Sequence, residues 1–133
     1  MASIYRTLLR EILDACDALI VVSDQDSNVL LANNRQRDIM ETPDHLYRPG
    51  TNLGDAIRHR YRAGVYGFDR DEETTVAERL SNPFRSGAGQ GGTGQGGALH
   101  YTRTMPSGRS VEHLFTPISG GRLVGFHRDI TAL

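Results

Sequence analysis

The sequence predicts an α+β fold, a five-stranded antiparallel sheet with short helices on one face. Three observations lead there. Short apolar runs broken by turn residues occur near both ends of the chain, in 19–33 and again in 98–131, as hairpins require. Helical periodicity is confined to the opening residues and to the stretch between those hairpins. Nowhere do strand and helix alternate as they do in a parallel sheet. The 133 residues are the size of one domain with its own core, taken here as 1–133.

The first element spans 1–17. From Ser3 to Asp17, Ile4, Leu8, Leu9, Ile12, Leu13 and Cys16 recur at helical spacing, with Arg6, Arg10, Glu11 and Asp14 opposite. This is an amphipathic helix with Ser3 as its N-cap. Packing on the sheet or pairing with a second copy would cover its narrow apolar strip. We expect pairing, with Ile4, Leu8, Leu9 and Ile12 as a homodimer interface.

Leu19 to Asp24 and Val29 to Asn33 form a hairpin around the turn residues Gln25-Asp26-Ser27-Asn28. Asn33 and Asn34 can cap a short helix, Arg35 to Glu41, which stops before Pro43. After the turn Arg48-Pro49-Gly50, Thr51 or Asn52 caps a helix carrying Leu53, Ala56, Ile57 and Tyr61 on one side. Asp71 to Leu80 is a further helix with Val76, Ala77 and Leu80 inward. The stretch 83–97 breaks every pattern and is expected to be a flexible glycine-rich loop. Two windows in it, 87–92 and 92–97, match G-x-G-x-x-G, but a phosphate-binding turn needs a strand before it and a helix after. Here a helix precedes and a strand follows. Three strands close the chain, Ala98 to Met105, Arg109 to Ile118 and Arg122 to Thr131, joined at Pro106-Ser107-Gly108 and Ser119-Gly120-Gly121.

Composition removes several classes of function. A formal charge of −1 offers no basic stripe for nucleic acid. The cluster Arg58, His59, Arg60, Arg62 and the acidic run Asp69, Asp71, Glu72, Glu73 read as two solvated faces. All fifteen basic residues are arginine, so neither a Schiff-base lysine nor a P-loop lysine exists here. One cysteine permits no internal disulfide, and no signal peptide or apolar span precedes the first strand. A cytoplasmic address without membrane contact is the expectation.

Several segments resemble PAS domains. Ala18-Leu19-Ile20-Val21-Val22-Ser23-Asp24 and Val29-Leu30-Leu31-Ala32-Asn33 are similar to the opening hairpin of that family and the asparagine that starts its first short helix. Met105-Pro106-Ser107-Gly108-Arg109-Ser110-Val111-Glu112 is similar to the turn between the third and fourth strands. Asp129-Ile130-Thr131 resembles the family's closing Asp-Ile-Thr, where the last strand passes toward an output domain. The stretch from Arg48-Pro49-Gly50-Thr51 through Tyr66-Gly67 to Ala77-Glu78-Arg79-Leu80 resembles a bacterial subgroup often attached to histidine kinases.

This resemblance implies a PAS fold. It implies a sensory or regulatory role, with a small molecule, cofactor or partner held between sheet and helices, and dimerisation through the N-terminal helix. The signal would pass to an output domain such as a histidine kinase, in the same chain or another. Flavin photosensors of the family need a reactive cysteine beside the flavin, whereas Cys16 lies in the leading helix. Haem-binding relatives use a helical histidine, whereas His59 is placed toward solvent among arginines. Neither cofactor is therefore expected, and no other is implied. The remaining alternatives are a pure dimerisation or protein-interaction module and, more remotely, a small enzyme with an open α+β pocket. No nucleophile, base and orienting group stand in a catalytic pattern, so no catalytic residue is assigned.

The strands suggest a binding face. A two-residue loop at Ser107-Gly108 would set Arg103 opposite Glu112, and a three-residue loop at 119–121 would set His113 opposite His127. Strand alternation then collects His100, Thr102, Thr104, Val111, His113, Phe115, Gly125 and His127 on one face, with Leu99, Tyr101, Leu114, Val124 and Phe126 on the other. We take His100, Thr102, His113, Phe115 and His127 as candidate ligand-binding residues. Three imidazoles can hold zinc or respond to pH near neutrality, or they are ordinary half-exposed strand histidines. No metal site is assigned, and a one-residue slip in either hairpin would separate the set.

Overall fold

The computed structural model describes residues 2–33, 37–81 and 99–132. The glycine-rich stretch at 83–97 and the start of the short helix expected at Arg35 lie outside the described residues. The strands are β1 (Leu19–Ser23), β2 (Val29–Ala32), β3 (Leu99–Thr104), β4 (Ser110–Ile118) and β5 (Arg122–Asp129). They form one antiparallel sheet in the order β2-β1-β5-β4-β3. The α-helices are α1 (Ala2–Ala15), α2 (Leu53–Arg62) and α3 (Glu72–Ser81).

The strands form between turns, β1 and β2 as short apolar runs, and in β1 successive side chains alternate between buried and half-buried. Asp24 shapes the first turn, its carboxylate accepting from the backbone N–H groups of Asp26 and Asn28, both at 2.9 Å. In α2 the Asn52 side chain caps the helix by accepting from the Gly54 N–H at 2.9 Å. The helix ends with Gly64 N–H donating to Tyr61 O and Val65 N–H to Arg60 O. This is the double bond pattern of a Schellman motif. It turns Val65 into the core and leaves Tyr66 beside Arg60. Asp71 opens α3 by accepting from the Thr74 N–H at 2.7 Å.

The core lies between the sheet and the segment from 37 to 65. Leu19, Val21, Val29, Ala32, Ile39, Met40, Tyr47, Val65, Met105 and Val111 pack into one cluster. The basic and acidic runs pair with each other across α2 and α3, Arg58 with Glu73 and Arg62 with Glu72. These are exposed pairs of modest worth.

Several local expectations change. Ser3 lies inside α1, where its carbonyl accepts from Thr7 Oγ1, so it is not the N-cap. The short helix is a 3-10 turn at Arg37–Met40, and a second 3-10 turn at Asp44–Tyr47 follows it. In α3 Ala77 is exposed, and Thr75 is buried beside Val76. Helix α1 leaves its apolar strip open, with Ile4, Leu8, Leu9 and Ile12 between 47% and 61% exposed. Among the described residues no helix is long and apolar enough to cross a membrane.

Candidate ligand site between sheet and helices

The inner face of the sheet and the segments opposite enclose a cavity of about 110 Å³. That is room for several waters or a small organic molecule. Its sheet wall carries Val21, Tyr101, Arg103, His113, Phe115 and His127. Its far wall carries Met40, Tyr47, Leu53, Arg60, Tyr66 and Arg79.

The two hairpins decide which side chains face this space. The second has the expected register, with His113 paired to His127 and Phe115 to Gly125. The first does not. Met105 N–H donates to Arg109 O, Gly108 N–H donates to Met105 O, and Gly108 has φ +93°. This is a three-residue loop with glycine in the left-handed position. Pro106 favours it, because a two-residue loop would ask proline for an N–H that it lacks. The extra residue pairs Thr102 with Glu112 and Arg103 with Val111. Every β3 side chain therefore changes face.

The expected cluster divides accordingly. His113, Phe115 and His127 line the cavity. His100 and Thr102 lie exposed on the outer face, which corrects their expected placement. There His100 Nε2 sits 2.8 Å from Glu112 Oε2, and Arg128 Nη2 bonds the same carboxylate at 3.0 Å. Tyr101 and Arg103 take the inner positions. The three imidazoles do not converge, and no metal-binding group of His, Cys, Asp or Glu occurs among the described residues.

His113 and His127 form a buried pair, with Nδ1 atoms 2.9 Å apart and exposures of 2% and 5%. Burial pushes His113 down to about 2, helped by His127 and by Arg103, Arg60 and Arg79. Burial likewise pushes His127 down to about 3, helped by Arg60. Both imidazoles are thus neutral near pH 7, so one Nδ1 donates and the other accepts. The expected response of native imidazoles to pH near neutrality does not apply to this pair. His113 stacks on Tyr101, with centroids 4.9 Å apart, and its Nε2 is buried without a hydrogen-bond partner among the described residues. Gly125 permits this packing. A Cβ there would lie 3.0 Å from His127 Nε2 and 3.2 Å from Phe115 Cε1.

Arg60 is the largest departure from the sequence reading. It is not on a solvated face but only 9% exposed. Its Nε donates to Tyr66 Oη at 2.7 Å, and its Nη1 to Tyr47 Oη at 3.1 Å and Thr42 Oγ1 at 3.3 Å. Leu53, Ala56, Ile57 and Arg60 follow the i, i+3, i+4, i+7 spacing of one helix face. That signal was present in the sequence. Arg79 shares the i, i+3, i+4 face of Val76 and Leu80, whereas Tyr66 carried no such signal, because the turn after α2 reaches the cavity only through tertiary packing. His59 is half-buried, and neither it nor Cys16 lines the cavity.

A cavity beneath the helices of a five-stranded sheet in this strand order is the arrangement of a PAS sensor module. A family model described as the PAS fold matches residues 13–133, and the chain belongs to the PAS family. The PAS domain of Bordetella pertussis BvgS is 18% identical with a TM-score of 0.55, covering 95% of this chain and 86% of that one. A domain of the sensory box sensor histidine kinase/response regulator from Geobacter sulfurreducens is 16% identical, with a TM-score of 0.54 and 97% of each chain covered. The PAS domain of nitrogen regulation protein NR(II) from Vibrio parahaemolyticus is 18% identical, with a TM-score of 0.50, covering 92% of this chain and 98% of that one. At these identities the likeness is one of fold. No curated protein sequence matches the chain.

Proposed function

We propose that residues 1–133 are one sensory PAS domain of a bacterial signal-transduction protein, acting in the cytoplasm and without catalysis of its own. It binds a small molecule in the cavity and relays occupancy to an output domain such as a histidine kinase. The observation that carries this reading is the cavity wall itself. It combines apolar surface with the buried polar side chains of Arg60, His113 and His127, and His113 Nε2 has no hydrogen-bond partner among the described residues. Ligand sites have this composition. Native mass spectrometry of the chain purified from its own host tests the reading. A stoichiometric mass excess, lost on denaturation, is expected. A chain that is empty in repeated preparations would favour the pure interaction module.

Dimerisation through α1 belongs to the same proposal. Ile4, Leu8, Leu9 and Ile12 are all exposed on it. At about 1.5–3 kcal/mol for each fully buried side chain, this strip suffices for a moderate dimer. Leu8→Asp with Ile12→Asp should give a folded monomer by light scattering. A wild-type chain that is monomeric at high micromolar concentration, or a double variant that remains dimeric, contradicts the assignment.

A further inference from the structure

The chemical class of the ligand rests on the ligand-binding role just proposed. We infer that the cavity takes a small organic anion, with a carboxylate or phosphate group at its arginine end and an apolar body along Val21, Met40, Leu53 and Phe115.

Arg60 is the main reason. It is nine-tenths buried, and every hydrogen-bond partner of its guanidinium among the described residues is a neutral hydroxyl. A buried cation without a counter-ion is costly, and the usual remedy is a carboxylate. The chain has carboxylates close by on α3, yet Glu72 and Glu73 turn outward to Arg62 and Arg58. No aspartate or glutamate lines the cavity among the described residues.

Two more guanidinium groups stand beside the first. Arg79 Cζ lies 3.8 Å from the Tyr66 ring centroid and Arg103 Cζ 5.1 Å from the same point, while the Tyr66 hydroxyl accepts from Arg60. Three cations thus surround one ring on the cavity wall. Their field also acts on that phenol. Burial works to raise its pKa, but Arg60, Arg79 and Arg103 bring it below the ordinary value.

His113 supplies an independent observation. It lines the cavity and is 2% exposed, and its Nε2 is buried without a hydrogen-bond partner among the described residues. If His127 Nδ1–H donates to His113 Nδ1, the remaining His113 proton sits on Nε2. It then becomes a donor that suits an anionic oxygen. The opposite tautomers would leave a lone pair on Nε2, so an anion drawn to this ring favours the first arrangement. The volume of about 110 Å³ suits a molecule of roughly ten heavy atoms or fewer.

Thermal unfolding of the full chain is the test. Sodium benzoate, hexanoate and phenyl phosphate are each compared at 10 mM with benzamide, hexanamide and phenol, at constant ionic strength. At least one anion is expected to raise the midpoint by about 3 °C or more, with its neutral counterpart giving less than a third of that shift. Arg79→Gln should weaken the effective anion at least tenfold, and Arg60→Met should abolish its effect. Because Arg60→Met removes three buried hydrogen bonds, Arg79→Gln keeps the test decisive if that variant does not fold. Equal stabilisation by an anion and its neutral counterpart overturns the inference and leaves the ligand site standing. So does a failure of all three anions when native mass spectrometry finds a bound molecule. Failure of all the probes together with an empty native protein overturns both readings.

Discussion

Lowering the pH from 7.5 to 5 is expected to destabilise the fold by about 4 kcal/mol through His113 and His127 alone. Above about pH 6.5 both imidazoles are neutral whether the chain is folded or not, and they add no pH dependence. Below that value the unfolded chain binds two protons that the native pair refuses, since its members titrate at about 2 and 3. Each histidine then costs about 1.4 kcal/mol per pH unit. The loss continues until the pH approaches the native values. Carboxylates act in a separate window. Asp24, Asp71, Glu72, Glu112 and Asp129 are all held below their ordinary values, so their stabilisation is lost only below about pH 4. Urea unfolding at pH 7.5, 6 and 5 measures the slope, and His113→Phe with His127→Phe should flatten it. A wild-type midpoint unchanged across that range would show that the native pair accepts protons after all.

Asn33→Ala is expected to cost about 2–4 kcal/mol and to loosen α1 from the sheet. Asn33 is fully buried. Its Oδ1 accepts from Ile20 N–H at 2.9 Å, and its Nδ2 donates to Leu13 O at 2.7 Å and Ala18 O at 2.9 Å. One side chain thus ties the end of α1, the bend after it and the first strand together. Alanine leaves all three backbone groups without that partner, and the cost of burying unpaired groups follows. Arg10, which donates to Ala32 O at 3.2 Å, is a further tie and does not replace it. Amide exchange in 2–15 should accelerate more than exchange in β4 and β5. A loss below about 1 kcal/mol, or uniform acceleration throughout, would deny Asn33 this role.

The strands and α2 were legible because their signals are local. Alternation, turn residues and the Asn52 cap all act within a few positions. The pairing of His113 with His127 was legible for the same reason, since the two glycines of Ser119-Gly120-Gly121 supply the positive φ that a short loop needs. Pro106 was the point of failure. Its effect on the loop adds one residue and moves His100 and Thr102 to solvent, while Tyr101 and Arg103 move to the cavity. Arg60 failed for another reason. Arginine is so often exposed that its charge outweighed its place on the apolar face of α2. The outward pairing of Arg58 and Arg62 with α3, which leaves Arg60 without a carboxylate, belongs to tertiary structure. No local pattern encodes it.

We propose that a ligand occupies the space between the sheet and the helices. The most direct measurement is a titration of the isotope-labelled chain, followed by NMR, with the probe anion that raises the unfolding midpoint most. Shifts are expected to concentrate at Val21, Arg60, Tyr101, His113, Phe115 and Gly125, with the His113 imidazole among the most affected. Shifts confined to the shallow outer groove at Asp55, Arg58, His59 and Arg62 would contradict it.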